Sequence, residues 1–470
     1  MTLKAKEMMM KQQINYIIFL SLIIILSGCK VTQSYNKQDL KVKEDLFRDI
    51  STTDTSSFAN LPINEVFNDV NLQNLIQEGI KNNPEILRAY TRVTQAEAYY
   101  QQSGAAFLPS LNGNANVNYT KLPENQIAGI RSASQYQLGV SSVWEADIWG
   151  KLKSSRRAQF ANLLQSRAGV KAVQTGIVSG VATYYYNLLA LDKQLEITRQ
   201  TASNWDTTVI TLRALKDAGR VTEAAVVQSE AQKYAAEVTI PDILQRIRET
   251  ENALSILIGR SPSAIQRDSL ASQQISDLME TGTPAQLLAN RPDVEQAELN
   301  LRYYFELTNI ARTYFYPSLS INGSAGLGSL KASDLFNPSA FVASIGAGLT
   351  QPIFNNKLNE TRLKVANAQQ KDALINFQNT LLVAGEEVSN AISLYNNAKE
   401  KSVIRTNQIN ALIKSVDYSQ ELLENGFATY TEIITARQSL LQAQLGEVND
   451  KLQALLSSVN LYRALGGGWR

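Results

Sequence analysis

Two copies of one pattern run through this chain, and that duplication limits its fold more than any other feature. Asn83-Pro84-Glu85 precedes Phe107-Leu108-Pro109-Ser110-Leu111, and Arg291-Pro292-Asp293 precedes Phe315-Tyr316-Pro317-Ser318-Leu319; in both copies the prolines are 25 residues apart. Lys151-Leu152 answers to Lys357-Leu358, Gly219 to Gly426 and Gly259 to Gly466, so the offset stays between 206 and 208 residues. Solenoid units recur every ~20 to 50 residues. A period this long means that each copy holds a complete set of helices and strands.

The N-terminus has the form of a secretory signal. Lys4, Lys6 and Lys11 precede an apolar run from Ile14 to Leu26, and Leu26-Ser27-Gly28-Cys29 closes it. That run is short of the ~20 residues a membrane-spanning helix needs. Leu-Ser-Gly-Cys resembles the lipobox of bacterial lipoproteins, which implies cleavage before Cys29 and acylation there; the alternative is a free thiol near an ordinary cleavage site. Lys30 stands where an inner-membrane retention signal often places Asp, which favours the outer membrane. The domain expectation is a signal over 1–28, a lipidated linker over 29–71, repeats over 72–260 and 284–466, and a joining segment over 261–283.

The formal net charge of +2, from 45 basic and 43 acidic residues, gives no reason to expect a nucleic-acid partner. There is no histidine, and Cys29 is the sole cysteine. Intrachain disulfides, histidine acid–base chemistry and the usual zinc or haem ligand sets are therefore excluded. No cofactor and no metal site is expected. No second apolar run of about 18 residues follows the signal, so a mature chain that crosses a bilayer must do so with strands.

Four segments alternate as such strands should: 110–120, 134–146, 318–328 and 341–351. In the first, Leu111, Gly113, Ala115, Val117 and Tyr119 interleave with Asn112, Asn114, Asn116 and Asn118. Alternate side chains point to opposite faces, giving each strand one apolar and one polar or small face. The lengths suit the ~9–11 residues of a tilted membrane strand. A soluble sandwich would alternate as well. Four strands cannot close a cylinder, because single-chain barrels begin at about eight and open edges are not tolerated in hydrocarbon. Three chains would supply twelve, so a homotrimer is expected.

Most of the remainder reads as helix. From Leu152 to about Asp217, Val170, Val173, Ile177, Val181, Tyr184, Leu188, Leu191 and Leu195 recur in steps of three and four, a coiled-coil seam. Lys357 to about Asn425 repeats this with Phe377, Leu381, Val388, Tyr395, Ile409, Leu412, Val416 and Leu423. Each such helix spans roughly 100 Å. Glycine turns at Gly219 and Gly426 lead into return helices that run to Ile258 and Leu465. Pro241 should kink or break the first of them. Shorter helices over 72–106 and 284–314 lead into the strands. The fold class expected is mainly α with a transmembrane β portion: a trimeric 12-stranded barrel continued by a long α-helical coiled-coil barrel, built from two tandem repeats.

Trp144-Glu145-Ala146-Asp147-Ile148-Trp149-Gly150-Lys151-Leu152, Ile240-Pro241-Asp242, Glu251-Asn252-Ala253-Leu254, Leu257-Ile258-Gly259-Arg260, Asn290-Arg291-Pro292-Asp293-Val294, Tyr316-Pro317-Ser318-Leu319 and Gln351-Pro352-Ile353-Phe354 carry a resemblance. In order and spacing they resemble the outer membrane factor family that contains TolC. Within it they are closest to the lipoprotein branch, OprM- or NodT-like, that works with RND efflux pumps. The resemblance implies a trimer in outer membrane lipids, a periplasmic adaptor (membrane fusion) protein and an inner-membrane RND transporter. It implies adaptor docking at the tips Gly219-Arg220-Val221-Thr222 and Gly426-Phe427-Ala428-Thr429, which as residues also read simply as turns. It places a periplasmic gate at Glu432 and Thr435, where the family has acidic residues at both. Glu432 reads equally as a solvated surface charge. Asn112, Asn114, Asn116 and Asn118 would line the barrel lumen.

The function expected is a passive exit duct for small molecules such as drugs. The alternatives are the outer component of type I protein secretion or of metal efflux. A lipid-anchored coiled-coil structural protein would explain the helices but not the strands. An enzyme is not expected: pairs such as Glu386-Glu387 are neighbours on a helix and face different directions.

Overall fold

A computed structural model describes residues 31–36, 46, 48, 58–121, 132–274 and 290–469. The signal segment, Cys29 and parts of both linkers lie outside the described residues. The helices are α1 (Ile63–Val66), α2 (Val70–Asn82), α3 (Pro84–Ala105), α4 (Lys151–Asp217), α5 (Glu223–Glu237), α6 (Thr239–Leu257), α7 (Pro292–Thr313), α8 (Leu358–Glu424) and α9 (Tyr430–Ala464). The strands are β1 (Ser110–Lys121), β2 (Ser132–Ala146), β3 (Ser318–Ser329) and β4 (Phe341–Thr350). The chain divides into two compact units, one of residues 1–39, 95–164 and 299–375, the other of 40–94, 165–298 and 376–470.

The first unit holds the sheet, antiparallel in the order β1-β2-β3-β4. Its register decides what the alternation means. Ala115 lies opposite Leu138, Leu138 opposite Leu327, and Leu327 opposite Phe341. Trp144, Ile321 and Ala347 form another such row, and Ala146, Leu319 and Leu349 a third. The apolar face of every strand therefore falls on one side of the sheet. Leu111, Val117, Tyr119, Ile345 and Leu349 are exposed there. The other side carries Asn112, Asn114, Asn116 and Asn118, then Gln135, Gln137, Ser141, Asn322, Ser324 and Ser344. Cross-strand bonds join Asn114 Nδ2 to Ser141 Oγ at 2.9 Å and Ser324 Oγ to Ser344 Oγ at 2.8 Å. Gly139 and Gly326 oppose each other on this polar face. A Cβ on Gly326 would come 2.6 Å from the Gly139 Cα, so the β2 and β3 backbones touch where side chains would hold them apart. The outer edges of β1 and β4 have no strand partner among the described residues.

Small side chains pack the helices of this unit. Ser154, Ala158 and Ala161 of α4 are buried, as are Thr308 and Ala311 of α7 and Ala366 and Ala373 of α8. The Thr308 hydroxyl donates to the Ala366 carbonyl at 3.2 Å, a contact that larger residues would prevent. Asp147 starts α4, its carboxylate accepting from the Leu152 and Lys153 amides at 2.8 and 2.9 Å.

In the second unit the expected seam is largely buried: Ile177, Val181, Leu188, Leu191 and Leu195 on α4, with Phe377, Leu381 and Val388 on α8. Tyr184 is a correction, being 37% exposed. Tyr185 takes the core place instead, because its hydroxyl finds partners there. It donates to Asp69 Oδ2 at 2.5 Å and accepts from the Asp268 amide at 3.1 Å. Burial and the Asp69 charge push that phenol up, so it stays protonated. The segment after α6 is strapped down in the same region. Ile265 and Leu270 are buried, and Arg267 bridges Asp192 and Glu251.

All four long hairpin and return helices stop by one device. The Gly219 amide bonds to the Lys216 carbonyl and the Arg220 amide to that of Leu215; Gly259/Arg260, Gly426/Phe427 and Gly466/Gly467 repeat the pattern. These are Schellman caps, and each glycine has φ between +70° and +88°. Gly259 and Gly466 also lie so close to the Asn82 and Asn290 carbonyls that a Cβ would overlap them. The first return helix breaks at Val238, three residues before Pro241, which then occupies the first turn of α6, where no amide is needed. One other expectation shifts. The helix expected over 72–106 is two helices parted at Asn83, whose carboxamide caps α3 through the Glu85 amide at 2.7 Å. Of the helix expected over 284–314, α7 covers the part from Pro292 to Thr313, and residues 284–289 lie outside the described residues.

Gly466→Ala should cost roughly 1–2 kcal/mol from its left-handed backbone alone, and more from the overlap with Asn290, read as a lower denaturant midpoint. Gly326→Val should weaken the β2–β3 register, lowering the strand signal in infrared spectra while the helical signal remains.

Candidate functional site: the hairpin tips

The two hairpin turns, between α4 and α5 and between α8 and α9, lie side by side in the second unit. A Cβ on Gly426 would sit 3.2 Å from an Arg220 guanidinium nitrogen. Beneath them Val209, Leu212, Val226, Leu423 and Ile433 form a small apolar cluster, against which Val221 and Tyr430 pack. Thr222 and Thr429 precede the return helices with extended backbone, and neither hydroxyl caps an amide. Gly219, Arg220, Gly426 and Phe427 are exposed, Phe427 by 83%. Ala428 is half-buried. A large ring held out at a turn has no folding role that this geometry explains.

Ion pairs stitch the first hairpin below its tip: Lys216 to Glu223 at 3.0 Å, Lys233 to Asp206 at 2.6 Å, and Arg213 to Glu230. In the second hairpin Arg405 meets Asp450 at 2.8 Å. The carboxylates raise the pKa of Arg213, Lys216 and Lys233, through hydrogen bonding first.

The structure places Glu432 and Thr435 on one exposed side of α9, while Ile433 and Ile434 between them are buried. Glu432 has no ion-pair partner among the described residues. The Thr435 hydroxyl is satisfied by the Thr431 carbonyl at 2.8 Å, so it behaves as a helix-surface threonine. Two residues on stands a side chain that the pattern of the sequence does not single out. Arg437 donates to the Asn204 carbonyl of α4 at 3.3 Å and to Gln420 Oε1 of α8 at 3.1 Å. Its guanidinium carbon is 5.9 Å from the centre of the buried Trp205 ring. Burial pulls its pKa down, yet a guanidinium stays charged at any physiological pH. Beside it is a cleft of 320 Å³ with Lys193, Glu196 and Glu447 on its walls. One residue thus ties both hairpins together near Glu432 and Thr435. Arg437 lies in the same helical stretch as Glu432, which is the one signal that could have flagged it.

At the far ends of the return helices the repeat is drawn in hydrogen bonds. Asn83 Nδ2 donates to the Leu257 carbonyl at 2.7 Å, and Arg291, its counterpart, donates to the Ala464 carbonyl at 2.9 Å. Arg291 is buried and also holds Asp293 and Glu387. Burial alone would lower the Arg291 pKa, but the two carboxylates outweigh it and the net shift is upward.

An outer membrane efflux protein family model matches residues 75–260 and 283–467, one segment for each repeat. The chain belongs to the outer membrane efflux protein family. It is 27% identical over 408 residues to the solvent efflux pump outer membrane protein SrpC of Pseudomonas putida, covering 86% of this chain and 87% of that one. It is 25% identical over 451 residues to the cation efflux system protein CusC of Escherichia coli K12, covering 95% and 97%. Its fold matches the outer-membrane channel OprN with a TM-score of 0.86 at 22% identity, over 94% of this chain and all of that one. No described helix of this efflux-family member is long and apolar enough to cross a membrane.

Arg437→Ala should cost about 1.5 kcal/mol and should raise hydrogen exchange selectively around Asn204 and Gln420, the partners it leaves. Arg291→Ala should be more severe, about 3 kcal/mol or more, since it takes the guanidinium from Asp293 and from a helix-end carbonyl and leaves Glu387 with Arg463 at 3.4 Å.

Proposed function

We propose that this protein is the outer membrane exit duct of a tripartite RND-type efflux system, passing small organic molecules. The observation that carries this reading is the sheet. One face is apolar across all four strands, exposed on β1 and β4 and partly exposed on β2 and β3, the other is mostly polar or small, and both edges are open. An apolar face of that extent is unstable in water. In a bilayer it is solvated by lipid, but the edge amides then have no water to bond. Three copies of four strands close a barrel of twelve, with Asn112, Asn114, Asn116 and Asn118 inside. Uncharged amides wet such a lumen without binding solutes tightly. The energy for export comes from the inner-membrane transporter, and the duct supplies a closed path.

Cys29 is acylated in this reading and anchors the mature N-terminus beside the strands. The tips dock a periplasmic adaptor, with Phe427 as the apolar anchor and Arg220 as its charged neighbour. Glu432 forms a threefold carboxylate ring, and Thr435 makes that gate less acidic than a paired arrangement would be. The relatives named for solvent and for cation export leave both cargoes in view. The chain has no histidine, a single cysteine and only five methionines, four of them within the first ten residues. A wall that hands soft metal ions from ligand to ligand needs those side chains, which supports organic cargo.

Deleting the gene should raise sensitivity to drugs and detergents several-fold; sensitivity to metal ions alone, or lost secretion of a large protein with drug tolerance intact, would overturn the cargo assignment. The Cys29→Ser protein should still need detergent for extraction, and the fraction that assembles, smaller than for the acylated chain, should still run as a trimer. Phe427→Ala should reduce cross-linking to the adaptor without changing the unfolding midpoint.

A further inference from the structure

We infer that Asn309 of α7 is a seat for the chain's own lipidated N-terminal strap, and that it fixes the acyl anchor at the level of the strand roots. This rests on the proposed acylation of Cys29. Asn309 is fully buried, and both ends of its carboxamide are committed to the strap backbone. Its Oδ1 accepts from the Gln33 amide at 2.9 Å, and its Nδ2 donates to the Gln33 carbonyl at 2.9 Å. The side chain thus pairs with Gln33 as a neighbouring strand would. Such pairing reads backbone and not side chain, so it holds an extended segment in one register.

The carboxamide cannot turn over or swing away. Its remaining capacity is filled by Arg312 Nη1 at 3.1 Å and Glu306 Oε2 at 3.1 Å. Glu306 is itself buried and faces Arg157 of α4 at 2.9 Å. A chain of polar groups therefore runs from the half-buried Arg157 of α4 through the buried Glu306 and Asn309 of α7 to the strap, and no other part of the mechanism uses it. Two further contacts keep the strap in place: Tyr35 meets the Phe305 ring edge-on at 5.4 Å, and Thr32 lies against Gly150, where a Cβ would come 3.4 Å from its side chain.

Gly150 sits between the end of β2 and the start of α4, so Thr32 is held at a strand root. Cys29 precedes Gln33 by four residues, and even a fully extended chain of that length reaches only about 14 Å. The acyl chains must enter the bilayer within that radius of the seat. Two membrane anchors, lipid and strands, are thereby brought to one leaflet boundary.

The test compares Asn309→Ala, Cys29→Ser and the double variant, each as full-length protein in outer membranes. A fourth protein carries a ten-residue Gly-Ser insertion between Lys30 and Val31, which leaves the seat intact but frees the anchor. The readouts are protease cleavage within residues 31–36 and the fraction of chain recovered as heat-resistant trimer. Asn309→Ala should expose the strap to protease and lower trimer recovery several-fold. The double variant should be no worse than Cys29→Ser alone, and the insertion should lower recovery while the strap stays protected. A protected strap in Asn309→Ala, additive losses in the double variant, or an insertion without effect would each overturn the inference. Incorporation of labelled fatty acid at Cys29 is measured in parallel. Its absence would refute the acylation reading, whereas strap protection reports on the seat itself.

Discussion

A backbone amide that faces hydrocarbon must find its partner within protein, and everything about the sheet follows from that. Four strands in perfect antiparallel register satisfy each other along three ladders and leave two edges unsatisfied. Among the described residues no further strand pairs with either edge. The apolar rows are continuous from β1 to β4, so a slip of one residue anywhere would turn a whole strand inside out. The opposed pair Gly139 and Gly326 serves the same end. By removing side chains on the polar face at the middle of the sheet, it lets the strands bend toward that face, as a wall enclosing a lumen must.

Away from the sheet, the repeat is maintained by bonds at helix ends more than by side-chain identity. Asn83 and Arg291 differ in size, charge and chemistry, yet each grips the last helical carbonyl of its own return helix. Trp144 and Gln351 likewise differ, yet each donates to the carbonyl of the phenylalanine that precedes its strand pair, Phe107 or Phe315. Geometry has been kept where residues have drifted. At the start of the second long helix the drift carries a cost: where the first copy turns on Gly150, the second uses Asn356 and Lys357 with φ of 54° and 63°. Asparagine tolerates that region and lysine does so only with strain.

Much of this was legible in the residues alone. Period-two alternation, opened by Pro-Ser-Leu in β1 and β3, placed all four strands within two residues of their ends, because proline and alternation act locally. Glycine located the four helix stops for the same reason. Legibility failed where the outcome depended on contact. Steps of three and four admit Tyr184 as well as Tyr185, and only the Asp69 carboxylate, more than a hundred residues away in sequence, decides between them. Arg437 looks like any helix-surface cation until Trp205 and Asn204 are brought beneath it. At the tips, sequence and structure agree on place. Glu432 and Thr435 do share an exposed side of α9, and the ring proposed for them depends on neighbouring copies of the chain.

The two long helices, α4 and α8, are each 67 residues, and the return paths also agree: α5 and α6 with their one-residue break span the same 35 positions as α9. Every one of these segments ends in the same glycine stop, and the return paths are pinned where Gly259 and Gly466 meet the Asn82 and Asn290 backbone, so none can lengthen alone without pulling a cap out of register. Growth or shortening of such a protein is therefore quantised. An added stretch must arrive in the outbound and homebound legs of both copies together, which makes helix length among the slowest characters of this molecule to change.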